Sequence, residues 1–152
     1  MRPTDLKSAS NRRILSSASV GPHRVAVANS ATEMTTNYRN YRYMANSAEN
    51  RAGIAELEAG LRRRPLYMIP KERVPDIEAR LQTGDIIGII SRDGEKFGTS
   101  HVGMAIRRDG VLHFMHASHP SGFGRVVIDA RLSEYLARFK KHAGILVARP
   151  LK

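Results

Sequence analysis

At 152 residues and a net charge of +11, the chain fits one domain, and its positive excess attracts polyanions without naming one. It has no cysteine, which excludes disulfides, thiolate zinc sites and a cysteine nucleophile within these residues. No apolar run approaches the ~18–20 residues of a membrane span. The charge is spread, with an excess of +4 in residues 1–30, +2 in 31–80 and +5 in 81–152. Residues 1–30 lack helical or alternating periodicity and read as a disordered or non-homologous lead. This lead is rich in Ser and Arg and has no continuous h-region of a secretory signal.

Residues 31–152 read as one domain, helical over 36–82 and carrying a sheet and a C-terminal helix over 84–151. Tyr38, Tyr41 and Met44 recur at three-residue spacing with Arg39 and Arg42 between them. Basic residues interleaved with aromatics occur in single-stranded nucleic-acid binders; a short helix that packs its tyrosines on the domain is the preferred reading, since stacking platforms usually sit on sheets or grooves. "SAENRAGIAELEAGLRRR" predicts a helix capped by Ser47, with Ile54, Leu57 and Leu61 as its apolar stripe. Arg62, Arg63 and Arg64 fall at its C-terminal end, where cations favour the helix dipole, and Pro65 stops it. "LYMIPKERV" is extended. "VPDIEARLQTGD" is a second short helix, with Pro75 in its first turn and Ile77 and Leu81 as apolar contacts.

From Gly84 the pattern changes to strands. "DIIGII" is a strand and "SRDGEKFGTS" a polar loop. "HVGMAI" and "VLHFMHA" are strands joined through Asp109-Gly110, a strong hairpin signal because both central residues of a type I′ turn need positive φ. "SHPSGFG" is a loop and "RVVID" a strand. "ARLSEYLARFKKHAG" predicts an amphipathic helix with Asp129 as a cap, Leu132, Leu136 and Phe139 inside, and Gly144 at its C-terminal turn. "ILVARPL" closes as a strand. This order argues an α+β domain on an antiparallel β-sheet with flanking helices.

A two-residue turn at Asp109-Gly110 pairs Arg108 with Val111, Ile106 with His113, Ala105 with Phe114, Gly103 with His116 and His101 with Ser118. Alternate residues share a face. His101, Gly103, Ala105, Phe114, His116 and Ser118 therefore lie on one face, with Gly103 leaving space beside His116, and His113 lies on the other. Two imidazoles on one face serve as a catalytic base and its orienter, as metal ligands with His119 as a third, or as ordinary strand residues. No Asp or Glu is expected on this face. His113 and His142 read as structural.

"TGDIIGI" followed by "SHVGMAIRRDGVLHFMHAS" resembles the NlpC-type cysteine peptidases, papain-like hydrolases of bacterial cell-wall peptides. The chain is more similar still to their N-acetylmuramoyl-L-alanine amidase-like branch, over roughly residues 34–152. The resemblance implies the sheet half of a papain-like domain, with the N-terminal helix region missing. It implies that His101 is the catalytic base, that His116 orients it, and that Asp85 is structural. It also implies that the nucleophile is a cysteine at the start of an upstream helix, which this chain does not contain. On that reading the chain is a truncated or inactive form of a murein-peptide amidase or endopeptidase, exposes apolar surface and is fragile. The intact family acts on peptidoglycan peptide, periplasmic or secreted, with no cofactor and no specific nucleic acid. The alternatives are a basic module that binds nucleic acid or another anionic polymer, and a metal site at His101, His116 and His119.

Overall fold

The computed structural model describes residues 14–16 and 23–150. In chain order the strands and helices are β1 (Ile14–Ser16), β2 (Val25–Val27), α1 (Glu33–Thr36), α2 (Arg42–Ala45), α3 (Ala48–Arg62), β3 (Leu66–Pro70), α4 (Val74–Ile77), β4 (Ile86–Asp93), β5 (Lys96–Arg108), β6 (Val111–Ala117), β7 (Val126–Arg131), α5 (Leu132–Ala137) and β8 (His142–Pro150). The sheet runs β2-β3-β8-β4-β5-β6-β7, and β1 also pairs with β8. Every pairing between these strands is antiparallel. The α+β reading holds in this form, an open antiparallel sheet with a few short helices. No described helix is long and apolar enough to cross a membrane.

The core lies on one face of the sheet. Ile87, Ile89, Ala105, Phe114, Ile145 and Val147 point into it from the strands. Val74, Ile77, Leu81, Leu132, Tyr135 and Leu136 meet them from the α4–α5 layer. Each such buried Leu, Ile, Val or Phe contributes roughly 1.5–3 kcal/mol relative to exposure. The sequence reading of Ile77, Leu81, Leu132 and Leu136 as inward residues is met, and Pro75 occupies the first turn of α4.

Two buried carboxylates tie this layer to the sheet. Asp85 accepts from Arg149 Nε and a terminal guanidinium nitrogen, both at 2.7 Å, and from the Gln82 N–H at 2.8 Å. A carboxylate that is only 1% exposed is thereby paired and hydrogen-bonded, as burial of a charge requires, and its role is structural. Glu78 accepts from Arg131 Nε at 2.6 Å and from the Ser133 N–H at 2.9 Å. The second bond satisfies a free donor in the first turn of α5.

The central hairpin has the expected register, from Arg108–Val111 through Ile106–His113 and Ala105–Phe114 to Gly103–His116. Asp109 and Gly110 have φ of 49° and 80°, as a type I′ turn demands. Gly103 differs from expectation. A side chain there would strike the Met115 carbonyl and the Phe114 ring, so the space beside His116 is filled by Phe114.

Several elements depart from the sequence reading. Residues 91–100 are not a loop: β4 and β5 continue through them as a hairpin, turning at Gly94 with φ of 59°. Within the stretch 36–82, taken as helical overall, the segment read as extended is β3 over Leu66–Pro70, as expected. β2 lies within residues 1–30 and pairs with β3, and Asn29 bridges to Phe97. The rest of that lead lies outside the described residues apart from β1 and residues 23–30. The C-terminal helix ends at Ala137, with Phe139 47% exposed. Gly144 belongs to β8 instead, opposite Ile90 and Pro70. A Cβ there would strike the Ile69 carbonyl, so strand pairing at close approach took the glycine that the sequence offered as a helix stop. α3 forms with Ser47 Oγ accepting from the Asn50 N–H at 3.1 Å, as expected. Its stripe is not buried, however, since Leu57 is 64% and Leu61 48% exposed. The α3 side chain that is buried is Glu58, which accepts from the Met34 and Thr35 N–H groups of α1.

Candidate active site

β5 and β6 present His101 and His116 on the core face because Gly103–His116 is a cross-strand pair and His101 is two residues before Gly103. The rings stand 4.9 Å apart, nearly perpendicular. His101 Nε2 lies 2.9 Å from His116 Nδ1, a hydrogen-bond distance. Phe114 stacks beneath His116 at 4.9 Å with its plane 17° away, and Tyr135 of α5 closes the other side at 5.1 Å. His116 is 7% exposed between them, so its ring is held by packing. His101 is half-buried at the rim. Burial lowers its pKa, and the neighbouring His116 lowers it further.

A third group, which sequence reasoning excluded, completes the arrangement. Asp129 of β7 places Oδ2 3.4 Å from His116 Nε2. Its Oδ1 accepts from the Ala130 N–H at 2.6 Å and from Arg138 at 2.8 Å. Burial pushes the Asp129 carboxyl up, but the Ala130 N–H, His116 and Arg138 together hold it below its ordinary value. Asp129 was expected as a helix cap. The N-cap position of α5 is Arg131, with no side-chain cap, and Asp129 faces the imidazoles. The β6–β7 register shifts between His113 and Met115, so Asp129 and Ala130 both lie opposite Phe114. A bulge of this kind bends a strand and re-aims its side chains. His113, on the opposite face, lies 2.9 Å through Nδ1 from the Asp129 carbonyl oxygen, so it donates there and anchors the Asp129 backbone.

The result is a linear series, His101–His116–Asp129–Arg138, along the wall of a cleft, with the buried His116 and the mostly buried Asp129 between the half-buried His101 and the exposed Arg138. The cleft has a volume of about 820 Å³ and is lined by His101, Ser100, Ser118, His119, Lys141 and His142 among others. The metal reading is not assembled. His101 and His116 are joined to each other, and His119 Nδ1 is 2.8 Å from Ser121 Oγ. Among the described residues no group of three or more His, Cys, Asp or Glu is placed to hold a metal ion. In the Tyr/Arg segment Arg39 and Arg51 lie over the Tyr38 ring at 5.4 and 5.0 Å, so these arginines are already engaged with an aromatic.

Residues 10–145 match the family described as N-acetylmuramoyl-L-alanine amidase-like. The chain belongs to this family. Among solved structures, an N-acetylmuramoyl-L-alanine amidase from Bacteroides uniformis is similar at 27% identity and a TM-score of 0.79, over 97% of this chain and 62% of that one. A Bacteroides fragilis protein that carries a xylanase name is similar at 31% identity and a TM-score of 0.73, over 90% of this chain and 58% of that one. A Legionella pneumophila protein shares the fold at 20% identity and a TM-score of 0.58, over 97% and 60%. The amidase-like chain described above thus spans about three fifths of the length of these structures. No curated protein matches it significantly.

Proposed function

We propose that this chain carries the histidine half of a papain-like, NlpC-type hydrolase of murein peptides, acting in the cell wall outside the cytoplasm. The observation that carries this reading is the 2.9 Å His101–His116 contact at the rim of an open cleft, within the region matched to the amidase-like family. In the reaction a thiol gives its proton to His101 as its sulfur attacks the amide carbonyl carbon. The carbon–nitrogen bond then breaks, His101 returns the proton to the leaving amine, and water hydrolyses the acyl intermediate. His101 suits this role because its lowered pKa keeps the imidazole neutral and able to accept a proton near pH 7. His116 orients it. The 152 residues contain no cysteine, so on this reading they hold murein peptide in the cleft without turning it over by themselves.

The test is titration of the chain with a murein tetrapeptide, followed by NMR of the histidine rings, beside an assay of peptide release. Saturable shifts at His101 and His116 without release are expected. No shift at either ring overturns the murein-peptide reading. Robust release that His101→Ala abolishes and thiol reagents leave untouched overturns the cysteine-dependent one.

A further inference from the structure

We propose that Asp129 is the positioning residue of this site, setting both imidazoles in the tautomer that leaves His101 Nδ1 as the free base. The inference rests on the proposed function only for its catalytic consequence; the tautomers are a property of the folded chain. The argument is a count of donors and acceptors. Asp129 Oδ1 receives two donors, the Ala130 N–H and Arg138. Both are fixed as donors, since a backbone amide and a guanidinium have no acceptor to offer. Oδ2 of the ionised carboxylate is an acceptor too, so His116 Nε2, at 3.4 Å, must carry the proton. A neutral imidazole then has its lone pair on Nδ1. That lone pair faces His101 Nε2 at 2.9 Å, which must therefore be the donor. His101 is left with an unprotonated Nδ1. Each proton position follows from the one before, starting at Asp129.

Among the described residues, the groups around His116 are few. The titratable groups that contact it are His101 from β5, Asp129 from β7 and Tyr135 from α5, and Arg138 after α5 reaches it through Asp129. His142 of β8 adds a coulombic effect between itself and His101. Phe114 supplies only its ring.

The same count makes Asp129→Asn informative, because the side chain barely changes shape. The two fixed donors demand an oxygen at the Oδ1 position. The asparagine amide nitrogen therefore takes the Oδ2 position and donates to His116 Nε2. His116 must move its proton to Nδ1 and donate to His101 Nε2, which pushes the His101 proton onto Nδ1. The whole series inverts, and the free base is capped by its own proton.

The experiment is NMR of the full chain with ¹⁵N-labelled histidine, about one pH unit above the ordinary histidine value of ~6.5. In the wild type, His101 and His116 are each expected with Nε2 protonated and Nδ1 bare, by roughly tenfold or more given the strength of hydrogen bonds to charged groups. In Asp129→Asn both preferences are expected to invert. Arg138→Met, which keeps the carboxylate, should retain the wild-type tautomers. Nδ1-protonated His116 in the wild type overturns the proposal, and so does an Asp129→Asn protein that keeps Nε2–H on both rings. The wild-type measurement decides even where a variant does not fold. A purely structural role for Asp129 would change melting temperature without inverting the tautomers. Failure of murein peptide to shift His101 would overturn the proposed function and leave the tautomer result standing.

Discussion

α3 and α5 invert the usual relation between helix length and burial. α3 has 15 residues and a proper Ser cap, yet the side chain it buries is a glutamate. α5 has six residues and no side-chain cap, yet it buries Leu132, Tyr135 and Leu136. The difference is position. α5 follows β7 directly and drops onto the core face of the sheet, where Phe114, Ile145 and Leu112 belong to the same cluster. α3 stands with α1 and α2 and is fastened by polar bonds, Glu58 to the α1 amides and Arg51 to the Met44 carbonyl at 2.8 Å. Periodicity of apolar residues states which face a helix can bury; it does not state that a partner surface exists. The site sits on the α5 side for the same reason, since only there are imidazoles sandwiched by packed rings.

The contrast can be tested by removing one anchor at a time. The largest effect belongs to Arg149→Met, which strips the partner from the buried Asp85 carboxylate. Breaking one side of a buried ion pair costs about 3–5 kcal/mol, and urea unfolding should show a loss of that order. Leu136→Ala removes a fully buried side chain of α5 and should cost about 2–5 kcal/mol. It should also loosen Tyr135 and hence His116, read as exchange broadening of the His116 ring signals.

Acidification gives a smaller, graded effect. The pKa of His101 is lowered by burial and then by His116; that of His142 is lowered by burial, then by Lys71 and by His101. A folded-state value below the ordinary 6.5 means that the unfolded chain takes protons first as pH falls. The stability contributed by the two neutral rings is therefore complete above about pH 6.5 and is lost progressively as pH drops through their lowered values. Melting temperature should fall over that window, and His142→Phe should flatten the dependence. The smallest effect is Leu57→Ala on the exposed face of α3, expected within about 0.5 kcal/mol. A loss of 2 kcal/mol or more there, on the scale of core truncations, would mean that this face is covered in solution and would end the contrast between the two helices.

What the sequence by itself determined was what local chemistry controls. Asp109-Gly110 defines a two-residue turn, and counting outward from it puts His101 and His116 on one face and His113 on the other. Ser47 and Pro75 were readable for the same reason: each acts within a few residues of itself. Asp129 was not readable. The β6–β7 connection spans residues 118–125, too long to set a register, and the bulge opposite Phe114 has no local signature. Gly144 was misread because a close-approach glycine in β8 and a helix-stop glycine look alike until Ile69 is beside one of them. The two imidazoles proposed as base and orienter were thus written in a hairpin. The carboxylate beside them was decided only when β7 settled against β6, because strand register across a long loop is a property of the packed sheet.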